Sequence, residues 1–133
     1  MFGFFRKKKN GLESRARFEG ENCRFSIRGF LGSDSHLDRV EANLNLIEAN
    51  KNWKSIRINL SRVELGPGSL PTYLFAIIIK LAGLANERGA DWQLILADEK
   101  QLSMIHFLRW PGGKDFINDH IIFASSNETS PAA

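Results

Sequence analysis

The stretch Ile56-Arg57-Ile58-Asn59-Leu60-Ser61-Arg62-Val63-Glu64-Leu65-Gly66-Pro67-Gly68-Ser69-Leu70-Pro71-Thr72-Tyr73 decides how this chain is read. Ile56, Ile58 and Leu60 alternate with Arg57, Asn59 and Ser61, the period-two pattern of a strand with one buried face. Val63 and Leu65 either extend that strand or pack just beyond it. Gly66, Pro67, Gly68 and Pro71 then interrupt any regular pattern. Residues 72–88 behind this bend form the most apolar segment of the chain. Ile77, Ile78 and Ile79 in succession would suit a strand, but the length of the segment and its Asn86-Glu87-Arg88-Gly89 ending favour a buried helix with a glycine C-cap. Lys80 interrupts the run, which falls short of the roughly 20 apolar residues that span a bilayer.

Upstream, Cys23, Phe25 and Ile27 alternate with Arg24, Ser26 and Arg28, a second half-buried strand ending near Gly29. Ser33-Asp34-Ser35 offers N-cap chemistry, and Leu37, Val40, Leu44 and Ile47 then recur on one helical face up to a turn at Asn50-Lys51-Asn52. Downstream, residues 92–97 read as an almost continuously apolar interior strand. Asp98 caps a helix carrying Leu102, Ile105, His106 and Leu108, which Trp110-Pro111-Gly112-Gly113 ends. Ile121-Ile122-Phe123 forms a last short strand. Strand and helix alternate throughout, so right-handed βαβ units and an α/β fold are expected, with a mostly parallel sheet of four to five strands and helices packed against it.

A chain of 133 residues is one domain's worth, and 43% apolar residues supply a core. The net charge of +3 is unevenly placed. Arg6, Lys7, Lys8, Lys9, Arg15 and Arg17 against Glu13 alone give residues 1–17 a charge of +5, and the remaining 12 basic and 14 acidic side chains give −2. Residues 1–20 therefore read as a flexible basic and aromatic arm, 21–124 as the folded domain and 125–133 as a disordered polar tail. A slightly acidic body argues against nucleic acid as a partner. Cys23 is the single cysteine, which permits no internal disulfide and suits a reducing cytoplasm. His36, His106 and His120 show no ligand spacing, so no metal is expected, and no cofactor. Phe2, Phe4 and Phe5 precede the positive run, the reverse of a signal peptide.

The order and spacing of these segments resemble the STAS family, the anti-sigma-factor-antagonist fold, over residues 22–123. Ile56-Arg57-Ile58-Asn59-Leu60-Ser61-Arg62-Val63 is similar to the family's central strand, and Phe25-Ser26-Ile27-Arg28-Gly29-Phe30-Leu31 to its strand–Gly–apolar opening. The resemblance implies a non-enzymatic, cytoplasmic regulatory module of bacterial-type signalling. Its partner would be a protein, either a regulatory kinase or the ATPase of a lipid-transporting ABC complex at the inner face of the membrane. It also implies a switch loop at residues 66–72 with a Ser or Thr phospho-acceptor. The family's Asp-Ser-Ser-Gly-Leu or Asp-Thr-x-Gly-Leu pattern is absent here, and both Ser69 and Thr72 stand as acceptor candidates.

Gly66, Pro67, Gly68, Ser69, Leu70, Thr72, Tyr73 and Phe75 are the expected partner-binding residues. For Ser69 and Thr72 the plainer reading is a helix cap with Pro71 in the first turn; the sharper one is a phosphate held at a helix N-terminus. Phe2, Phe4, Phe5, Arg6, Lys7, Lys8 and Lys9 combine aromatic and cationic chemistry suited to peripheral membrane contact, with a solubilising arm as the plainer reading. The helix over 72–88 is apolar nearly all round, which leaves a homo-oligomer or a docked partner open. Gly66-Pro67-Gly68-Ser69 lacks the Gly-Lys-Ser/Thr ending of a phosphate-binding loop. With no nucleophile or acid–base pair beside it, a nucleotide-binding protein or enzyme is the reading of another class.

Overall fold

Period-two burial runs through two of four successive parallel strands and, beyond expectation, through a fifth strand ahead of them. The computed structural model describes residues 12–31, 37–65, 72–106, 110, 113 and 115–124. The elements are β1 (Leu12–Glu19), β2 (Asn22–Leu31), α1 (Asp38–Ala49), β3 (Ser55–Leu65), α2 (Thr72–Arg88), β4 (Asp91–Leu96), α3 (Glu99–His106), α4 (Asp115–Asn118) and β5 (Ile121–Phe123). The sheet order is β1-β2-β3-β4-β5, antiparallel between β1 and β2 and parallel thereafter. The α/β class and the mostly parallel sheet stand as expected.

Residues 12–19 correct the extent of the arm. Weak periodicity assigns them to it, yet they pair with β2 along their whole length, from Leu12 opposite Gly29 to Glu19 opposite Asn22. Leu12, Ser14, Ala16 and Phe18 face inward and Glu13, Arg15, Arg17 and Glu19 outward. Ser14 and Ala16 dilute the apolar half of the pattern, so the sequence shows little alternation. Gly20, at φ 63, supplies the left-handed turn that closes the hairpin. The folded domain therefore includes residues 12–19 and is not confined to residues from 21 onward. The N-cap expected at Ser33-Asp34-Ser35 lies outside the described residues, as do residues 1–11, 66–71 and 125–133.

Consecutive strands lie side by side in chain order, and parallel crossovers share one hand, so every crossover turns back onto the same face of the sheet. Burial follows suit. Phe25, Ile27, Ile56, Ile58, Trp92 and Leu94 join Val40, Leu44, Ile47, Leu74, Ile78, Leu81, Ile105 and Ile117 in one hydrophobic cluster. Fully burying each aliphatic side chain of this kind stabilises the fold by about 1.5–3 kcal/mol. The opposite sheet face carries mostly polar side chains over β1, β2 and β3, with Phe30, the buried Ile95 and Ile122 as its apolar residues. β3 reaches it through an irregularity: the pairing with β2 shifts between Ser26 and Arg28, where Asn59 Oδ1 accepts hydrogen bonds from the Ser61 amide and hydroxyl at 2.9 and 2.7 Å. The strand thereby continues to Leu65.

Helix α2 is less apolar outside than its composition promises. Leu74, Ile77, Ile78, Leu81, Ala82 and Ala85 are buried, and Phe75, Ile79 and Leu84 pack half-buried against the core. Thr72, Ala76, Lys80, Gly83 and Glu87 face solvent, a stripe without large apolar groups. Lys80 Nζ lies 3.2 Å from Glu48 Oε1 on α1.

The C-terminal end of α1 is closed by residues from outside it. Trp53 Nε1 donates to the Ile47 carbonyl at 2.9 Å. Arg88 donates to the carbonyls of Glu48 and Asn50, and its guanidinium sits 4.2 Å from the centre of the buried Trp53 ring. Carbonyls that a helix end leaves without partners are thus satisfied by the last residue of α2. Arg88→Met, which keeps the stem and removes the donors, is expected to lower unfolding stability by about 2 kcal/mol in urea titration, since it removes two charged hydrogen bonds and a cation–π contact.

Burial pushes the Cys23 thiol up to about 12, with the charge of Arg88 opposing only in part. The Tyr73 phenol is pushed up as well, first by burial and then by its hydrogen bond to Glu41 and that residue's charge. Both groups hold their protons more tightly when folded. Their contribution to stability is complete below the unfolded thiol value of about 8.5, and it is lost as the pH rises through the folded values. Thiol reagents at neutral pH should label Cys23 only as fast as the chain unfolds. Denaturation midpoints should fall above about pH 9, with a shallower fall in Cys23→Ala.

Candidate functional site

The carboxyl ends of the parallel strands are where an open α/β sheet presents its loops. Here β3 ends at Leu65, and residues 66–71 connect it to Thr72, the first residue of α2. Gly66, Pro67, Gly68, Ser69 and Leu70 lie outside the described residues. The structure therefore defines the two ends that residues 66–71 join.

One end is fixed by Gln101. Its Nε2 donates to the carbonyls of Leu60 at 3.1 Å and Val63 at 3.3 Å, while its Oε1 accepts from the Ala97 amide at 2.7 Å. A single side chain on α3 thus ties the exits of β3 and β4 together. Gln101 is itself placed by Asp98, whose Oδ1 accepts from the Gln101 amide at 3.0 Å. That capping bond is the role the sequence expects of Asp98. Gln101 carries no local signal of its bridging role, because the carbonyls it reaches lie 41 and 38 residues away.

The other end is the first turn of α2. Thr72 is exposed, and Tyr73 and Phe75 are half-buried. The Tyr73 hydroxyl donates to Glu41 Oε2 on α1 at 2.9 Å, so the start of α2 is tied to its neighbour. The Phe75 ring points the other way and meets Trp110 with centroids 4.7 Å apart. Aromatic contacts continue from Trp110 to Phe116 at 5.8 Å, from Phe116 to Trp92 at 5.7 Å and from Trp92 to the stacked ring of His120 at 3.8 Å. Trp110 Nε1 donates to the Ile105 carbonyl. The residue that ends the helical pattern in the sequence is therefore a wedge under α2. Of the partner-binding candidates, Thr72 alone of the described three is exposed; Tyr73 and Phe75 are engaged in holding α2.

No acidic residue occupies the first turn of α2. The positive end of a 17-residue helix is thus not neutralised by its own side chains. His106 is half-buried, with Nε2 2.8 Å from Asn118 Oδ1. Among the described residues no group of three or more His, Cys, Asp and Glu side chains is placed to hold a metal ion, and no helix is long and apolar enough to cross a membrane. The membrane-contact candidates Phe2, Phe4, Phe5, Arg6, Lys7, Lys8 and Lys9 lie outside the described residues.

No protein-family model matches the sequence, and no curated protein matches it. Solved structures do match in shape. The anti-sigma factor antagonist SpoIIAA in its unphosphorylated form superposes with a TM-score of 0.62 at 11% identity, over 87% of this chain and 91% of that one. The phosphorylated form of the Bacillus cell fate determinant SpoIIAA gives 0.59 at 9% identity, over 87% and 95%. An anti-sigma factor antagonist from Mycobacterium paratuberculosis gives 0.52 at 15% identity, over 74% and 78%. A five-stranded mixed sheet with its helices packed on one face, the exit of β3 leading through residues 66–71 into a long buried helix, is the STAS-like fold of the anti-sigma factor antagonists.

Proposed function

We propose that this chain is a non-enzymatic regulatory module that docks a protein partner through residues 66–72 and the first turn of α2. The observation that carries this reading is the fold itself, shared with a regulator whose structures exist with and without a phosphate. The same segment here joins a central parallel strand to a helix N-terminus whose first turn contains no acid. A phosphate added at Ser69 or Thr72 would gain from the positive end of that helix dipole. It would also alter the charge of the surface that a partner meets. Gln101 and Tyr73 act as positioning residues in this scheme, fixing the two ends of the docking segment. The partner is a signalling protein of the cytoplasm, such as a regulatory kinase.

A second setting keeps the module and places it at the inner face of a membrane, on the ATPase of a transport complex. The cationic and aromatic arm at residues 1–9 favours it. Affinity capture from separate cytosolic and membrane fractions distinguishes the settings by where the specific partner is found. In the same experiment Ser69→Asp and Thr72→Asp test the switch. Loss or exchange of a bound protein by either variant, with Ser69→Ala and Thr72→Ala behaving as wild type, is the expected result. An identical bound set in all four variants would defeat the switch and leave residues 66–72 as constitutive docking or plain structure.

A further inference from the structure

The sheet face turned away from the helices carries Arg15, Arg17, Arg24, Arg28, Arg57 and Arg62, all exposed. Pairing sets Arg17 opposite Arg24 and Arg24 beside Arg57, so three guanidinium groups cross three neighbouring strands in one row. Like charges placed directly across strands cost stability, and nothing in the core requires them, since their side chains point away from it. Glu19 lies 3.4 Å from Arg24, and Glu13 pairs with Arg28. Arg24, the middle of the row, thus has an acidic neighbour, and so has Arg28 further along β2. A shallow depression of about 300 Å³ opens between Arg24 and Arg57, lined also by Asn22, Ser55, Asp91 and Gln93. Residues 12–124 carry 14 basic and 14 acidic side chains and are neutral in sum, yet these strands bring arginines to one side.

We propose that this face rests on an anionic lipid bilayer, with the guanidinium groups on headgroup phosphates. The arginine fork matches phosphate oxygens, and an open sheet offers breadth rather than a groove. Single-stranded nucleic acid would call for several aromatic platforms in succession, whereas among the described residues this face carries the one half-buried ring of Phe30, and the neighbours of the row are Ser26, Asn59 and Gln93. A protein partner would call for an apolar centre to the patch. Among the described residues the exposed large apolar side chains are Leu46 and Phe123, on α1 and β5, and neither borders the arginines. The sequence Met1-Phe2-Gly3-Phe4-Phe5-Arg6-Lys7-Lys8-Lys9 precedes β1 in the chain. Aromatic and cationic groups together fit a headgroup layer. This role is independent of the phosphate switch, because α2 and the helix layer lie on the other face.

Sedimentation of the full chain with vesicles tests the proposal, using phosphatidylcholine alone and phosphatidylcholine with one third phosphatidylglycerol. Wild type is expected to bind the anionic vesicles only, and to be released by salt. A basic residue near such a surface is worth about fivefold in partitioning. Arg15→Gln/Arg17→Gln/Arg24→Gln should therefore bind at least about tenfold more weakly with an unchanged circular dichroism spectrum. The corresponding triple lysine variant should retain binding. Removal of residues 1–9 should weaken binding and leave it sensitive to the triple glutamine change. Absence of any anionic preference in wild type would overturn the proposal. So would a triple glutamine variant that binds like wild type, which would assign the contact to the arm alone. Capture of wild type by polyglutamate or heparin without vesicle binding would reassign the face to an acidic protein or a nucleic acid.

Discussion

One-sided burial is the constraint on which everything else in this fold depends. Because β2, β3, β4 and β5 follow one another across the sheet in chain order, each returning helix is delivered to the same face. A single core then has to be filled from alternate residues of five strands and one stripe of each helix. It also follows that no buried polar or charged residue is found among the described residues. The polar work is done at the margins, where Trp53 and Arg88 close α1 and where Gln101 joins two strand ends.

The same constraint separates two surfaces by chemistry. The helix layer and the strand exits hold the segment that enters α2, braced by Glu41 through Tyr73 and by Trp110 through Phe75. The bare face of the sheet holds arginines in rows. Among the described residues, Tyr73, Phe75 and Trp110 lie on the helix side of the sheet and the arginines on the other.

Much of this architecture was legible because periodicity and punctuation agreed. β3 and α2 declare themselves through a change from period two to an all-apolar run across a glycine–proline bend, and Asp98 announces the helix it caps. β1 stayed hidden because half of its inward positions are Ser14 and Ala16, side chains that an edge strand tolerates under α1. Asn43 indeed donates a hydrogen bond to Ser14 there at 2.9 Å. The four residues of α4 are too few to show a helical period. At the candidate site, Thr72, Tyr73 and Phe75 could be named from their position after the bend. Gln101, Glu41 and Trp110 could not, because their roles arise from contacts made across the fold. The arginine row was likewise invisible, since only register brings Arg17, Arg24 and Arg57 side by side.

The outer edge of β1 has hydrogen-bonding groups but no neighbouring strand among the described residues, which invites a second copy to extend the sheet. Its outward residues read Glu13, Arg15, Arg17, Glu19, a charge pattern that is the same in either direction. An antiparallel copy aligned along the strand with matching faces would set Arg15 against Arg17 and Glu13 against Glu19, each twice. Every outward cross-strand pair would then be repulsive. The palindrome of charge makes this edge a poor template for itself, and leaves it better suited to a foreign strand carrying acids where β1 carries arginines.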